Sequence, residues 1–151
     1  MNDLNETSDV VIDHQEIQHF ASELIAKLSN AVKDWKVKKE QTYDGKTYRN
    51  YSTTVVDPNS DEAATFMQVQ LVYENSTDNN AFEGGLTETA PDTNGSLHEY
   101  HFAANLKSGT ESEIRYVEYP YRQEEFGRPL INTKTAISTA ESMIQRLPQL
   151  D

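Results

Sequence analysis

The sequence predicts an α+β fold in a single domain: an N-terminal helix, an antiparallel meander of about five strands and a C-terminal helix, with both helices on one face of the sheet. Three observations predict it. Apolar residues recur at three- and four-residue steps near both ends of the chain, the segments between them alternate apolar and polar, and Asp44-Gly45 marks a hairpin turn. An amphipathic helix and a half-polar sheet each have one face to bury, and packing one on the other satisfies both.

Residues 1–12 are acidic and polar and read as a flexible tail, leaving 13–151 as the domain. Ile17, Phe20, Ala21, Leu24, Ile25, Leu28, Ala31, Val32 and Trp35 line one helical face. Asp13, with Glu16 three residues later, forms a capping-box-like start, and Ile12 and Ile17 sit where a hydrophobic staple packs.

Asp44-Gly45 suits a type I′ turn, which needs positive φ at both central positions. Pairing outward from it sets Glu40 opposite Arg49. The same register sorts Trp35, Val37, Tyr48 and Val56 onto an apolar face, and Lys36, Lys38, Glu40, Arg49, Tyr51 and Thr53 onto a face toward water. A third strand runs from about Thr65 to Glu74, with Met67, Val69, Leu71 and Tyr73 on one side. A fourth runs from Leu97 to Leu106, with Tyr100, Phe102, Ala104 and Leu106 opposed to Glu99, His101 and Asn105. A fifth runs from Ser112 to Tyr119, where Ile114 and Tyr116 share a face and Pro120 ends the ladder. The C-terminal helix spans about Thr133 to Leu147, with Ala136, Ile137, Ala140, Met143, Ile144 and Leu147 as its stripe and Pro148 as its stop.

Charge narrows the function. The 151 residues carry 25 Asp+Glu against 13 Lys+Arg, a net charge of −12, so direct nucleic-acid binding is not expected. Neither a membrane span nor a secretion leader is visible, and there is no Cys, which removes disulfides, thiol catalysis and thiolate metal sites. The expected setting is cytoplasmic, in a bacterial or phage-encoded context. Residues 50–106 hold nine acids and no Lys or Arg. Within them, the stretch at about 75–96 is rich in Asn, Thr, Ser, Asp and Gly and reads as a long acidic loop. Its plainest reading is a solvated connection whose charge aids solubility.

The loop is also the first candidate for docking a basic partner, with Asp78, Glu83, Glu88 and Asp92 as charges and Phe82 and Leu86 as apolar anchors. Tyr119, Tyr121 and Arg122 form a second recognition candidate, because Tyr and Arg are favoured at interface cores. No catalytic constellation, metal site or cofactor motif stands out. His14 and His19 lie off a common helical face, and His98 and His101 point to opposite sides of a strand. Asp57-Pro58-Asn59-Ser60-Asp61-Glu62 begins like a calcium loop, but Glu62 stands where such a loop needs Gly and Gln68 where it needs Glu. Glu83-Gly84-Gly85 matches no nucleotide-binding pattern.

The leading expectation is therefore a small, non-catalytic interaction or accessory protein that docks a basic macromolecule through the acidic loop. A second is a ligand-binding or enzymatic domain with a cavity between sheet and helices, lined by Tyr48, Tyr73, Tyr100 and Tyr116. A third is an acidic inhibitor that mimics nucleic-acid charge, which requires its carboxylates to share one ordered surface.

Overall fold

The computed structural model describes residues 13–56, 64–91, 97–106, 111–119 and 133–147. Helix α1 (His14–Ala31) starts where the sequence places it: Asp13 is extended, and its Oδ1 accepts a hydrogen bond from the Glu16 amide at 2.9 Å. Ala21, Leu24, Ile25 and Leu28 are buried along its inner face. The helix ends before Trp35, which an uninterrupted stripe would include. A turn donating from the Trp35 amide to the Val32 carbonyl carries the indole back into the core.

Six strands follow: β1 (Lys39–Tyr43), β2 (Lys46–Val56), β3 (Ala64–Tyr73), β4 (Glu83–Pro91), β5 (Leu97–Asn105) and β6 (Glu113–Tyr119). They form one antiparallel sheet in chain order. Asp44 and Gly45 take φ of 53° and 78° at the first hairpin, and Glu40 pairs with Arg49 as the turn dictates. Helix α2 (Thr133–Gln145) closes the domain. No helix among the described residues is long and apolar enough to cross a membrane.

The register sets Tyr51, Val69, Leu86, Phe102 and Tyr116 side by side across β2 to β6, all buried on one face. Helix α1 lies over β3 to β6 on that face, and α2 packs beside it against β4 and β6. Among the described residues, no helix lies on the other face. Gly84 lets α1 approach β4 closely: a Cβ there would lie 3.0 Å from Leu28 Cδ1.

Two expectations are corrected. The stretch at 75–96 is not one long loop, because Glu83–Pro91 forms β4 in the middle of the sheet, and the meander of about five expected strands has six. The backbone of β4 bonds to β3 on one side and β5 on the other, so low side-chain β propensity does not prevent the strand. The faces of β2 are also reversed. Tyr51 and Thr47 are buried on the helix side, and Tyr48 faces away. Arg49 is tolerated on the helix side because its Nε donates to Glu40 at 3.0 Å while the guanidinium lies 4.4 Å from the centre of the Tyr73 ring.

Candidate functional site

The helix-free face of the sheet is hollowed. Because side chains alternate along each strand, the register places two adjacent rows on this face. One runs Asn50, Gln70, Gly85, Ala103, Arg115, and the next runs Ser52, Gln68, Thr87, His101, Val117. Gly85 and Ala103 have almost no side chain, so the middle of the first row sinks below its neighbours. The result is a trough of about 570 Å³. Asn50, Gln68, Gln70, Thr87, His101 and Arg115 supply its polar groups, and among the described residues no Asp or Glu lines it.

These groups hold one another in place. Gln70 Nε2 donates to Asn50 Oδ1 at 3.0 Å across β2 and β3. His101 is held at both ring nitrogens, with Nε2 3.0 Å from Glu99 Oε1 and Nδ1 3.3 Å from Thr87 Oγ1. A carboxylate only accepts, so Nε2 carries its proton toward Glu99, and in the neutral ring Nδ1 accepts from the Thr87 hydroxyl. Arg115 is largely exposed and sits 3.9 Å from Glu113, a loose surface pair. The trough thus offers carboxamides, a hydroxyl, an imidazole and one guanidinium on a rigid sheet.

A second hollow of about 700 Å³ lies between α1 and the sheet, lined in part by Ile25, Asn30, Lys33, Tyr51 and Tyr73. Its polar floor is already engaged. Burial raises the Tyr51 hydroxyl above the ordinary tyrosine range, and hydrogen bonding with Tyr73 raises it further. Arg49 is held above its ordinary value by Glu40 and Tyr73, against the opposing effect of burial. Of the four tyrosines expected around an interior cavity, Tyr73 lines this hollow, whereas Tyr48 faces the opposite side of the sheet. Tyr116 is buried in the core, and burial pushes its hydroxyl well up, with Glu118 adding to the shift.

The docking candidates do not converge. Asp78 lies in the β3–β4 connection, its amide bonded to the Asn75 carbonyl at 3.3 Å. Phe82 is stitched between Val72 and Leu106 by backbone hydrogen bonds, and Lys46 Nζ stands 5.5 Å from its ring centre. Glu83 and Glu88, five apart on β4, take opposite faces: Glu83 the open one, and Glu88 the helix side, buried against Arg146. Tyr119 ends β6 in register with Glu99. Asp92, Tyr121 and Arg122 lie outside the described residues, as do the tail 1–12 and the calcium-like Asp57–Glu62. Among the described residues, no group of three or more His, Cys, Asp or Glu is placed to hold a metal ion.

The trough escaped the sequence reading because its floor belongs to β4. Without that strand, Gln68, Gln70 and His101 are only alternating polar positions on separate hairpins. Neither a family model, nor a curated protein, nor a solved structure matches the chain.

Proposed function

We propose that the protein is a non-catalytic binding module that takes its ligand on the open face of the sheet. The observation that carries this reading is the trough over Gly85 and Ala103, whose volume of about 570 Å³ falls in the usual range of ligand sites and whose polar side chains come from all five strands β2 to β6. Sites built on strands hold their groups more accurately than sites on loops. The acidic stretch is not retained as the docking element, because Glu83 and Glu88 serve opposite faces. A cytoplasmic setting belongs to the same proposal and rests on a chain that needs no disulfide.

The test is a thermal-shift screen of a small-molecule collection against wild type, Ala103→Trp and Ala26→Trp. Ala103 sits in the trough and Ala26 in the hollow beside α1. A ligand at ten times its Kd adds about 1.4 kcal/mol, or roughly 3–5 °C for a domain of this size. The expected result is a ligand that stabilises wild type and Ala26→Trp but not Ala103→Trp. Loss in Ala26→Trp alone moves the site to the helix side and overturns the proposal.

A further inference from the structure

We infer that the trough is a carbohydrate site that takes a neutral oligosaccharide, an inference that rests on the open sheet face being the binding surface. Asn50, Gln68, Gln70 and Thr87 each present groups that donate and groups that accept. Sugar hydroxyls share that dual character, so a run of them can satisfy these side chains without leaving an unpaired polar atom. Arg115 and His101 extend the set at the β5–β6 end.

An apolar contact completes the match. Phe66 is 39% exposed on the same face, two residues along β3 from Gln68, and its register neighbours are Thr54 and Thr89. An exposed aromatic ring beside a polar hollow offers a flat surface for the C–H face of a sugar ring. Among the described residues, no helix lies over that face of the sheet.

Charge argues for a neutral ligand. The trough has one full cation, Arg115, while Glu83, Glu99 and Glu113 occupy the same face around it, on a chain of net charge −12. An anion meets repulsion from that rim, and among the described lining residues no carboxylate stands in the trough itself to hold a cation. A peptide is a poorer fit, since extended peptides take backbone hydrogen bonds from a sheet edge and this site is the middle of a face.

The experiment is an NMR titration of the full chain with maltotetraose, cellotetraose and chitotetraose in turn, following the side-chain NH2 signals of Asn50, Gln68 and Gln70. At least one sugar is expected to shift all three signals saturably, with an affinity unchanged between low and high salt. Phe66→Ala is expected to weaken binding roughly fivefold, since it removes a single aromatic contact, and Gln70→Ala is expected to weaken it while the amide spectrum stays folded. No saturable shift with any of the three sugars overturns the inference, and so does a shift that survives Ala103→Trp. A charged ligand whose binding falls with salt and with Arg115→Ala also overturns it. A non-sugar ligand from the thermal screen that is lost in Ala103→Trp removes the carbohydrate assignment but leaves the binding-module reading intact.

Discussion

Glu88, near the middle of β4, is bound by Arg146, just past the end of α2, and this ion pair ties the last helix to the central strand. Glu88 is 8% exposed, whereas the Arg146 side chain is about half exposed. The pair is therefore unequal. Removing Arg146 strands a carboxylate under a helix, and removing the carboxylate leaves a guanidinium that water can reach. Arg146→Ala is expected to cost about 1–3 kcal/mol after allowance for solvent screening, and Glu88→Gln less. Urea unfolding of both variants measures this, and a larger loss in Glu88→Gln reverses the assignment.

Gly84 and Gly45 are needed for different reasons. At Gly84 an added methyl meets Leu28 Cδ1 at 3.0 Å, with Ile25 and Leu71 each 3.5 Å away. Gly84→Ala should cost about 1–3 kcal/mol through overpacking. Combining it with Leu28→Ala should cost less than the two singles together, by about 0.5–3 kcal/mol of coupling. At Gly45 nothing lies within 4 Å, and the φ of +78° alone makes Ala unfavourable there. Strict additivity of Gly84→Ala with Leu28→Ala contradicts the packing account.

Thr47 is fully buried in β2, and its hydroxyl has no hydrogen-bond partner. Val has nearly the same shape and no polar atom to desolvate. Thr47→Val is expected to stabilise the fold by about 1 kcal/mol, seen as a rise in Tm of roughly 2–4 °C. A fall in Tm shows that the hydroxyl is satisfied in solution.

Tyr51 and Tyr116 give the fold an alkaline limit. Burial raises both hydroxyls above the reference value of 10.0. Above pH 10 the unfolded chain releases protons that the folded chain keeps, so the free energy of unfolding falls as pH rises. Stability is fully present below pH 10 and declines above it. Urea midpoints between pH 8 and pH 11 should fall along that limb, and the fall should be shallower in Tyr116→Phe. An identical limb in that variant removes Tyr116 as the cause.

Much of the fold was legible because local signals agreed with the global answer. The Asp13 cap, the Leu24–Leu28 stripe and the Asp44-Gly45 turn each act over a few residues, and all three stand as read. Strand β4 was hidden because its helix-facing positions are Gly84, Leu86 and Glu88. A close approach needs the glycine, and Arg146, far along the chain, makes the glutamate tolerable; neither cause is visible in a window of nine residues. The faces of β2 were misread for a similar reason, since Arg49 looks solvated until Glu40 and Tyr73 are seen around it.

The strictly sequential sheet has a consequence for synthesis. Each strand pairs with the one made just before it, so the meander can extend hairpin by hairpin as the chain emerges. Helix α1 cannot follow that order, because it is made first and packs on β3 to β6. At roughly 5–20 residues per second, its apolar stripe waits several seconds for its partners. A net charge of −12 on the full chain is of the sign and size that opposes association between copies while such a stripe is bare.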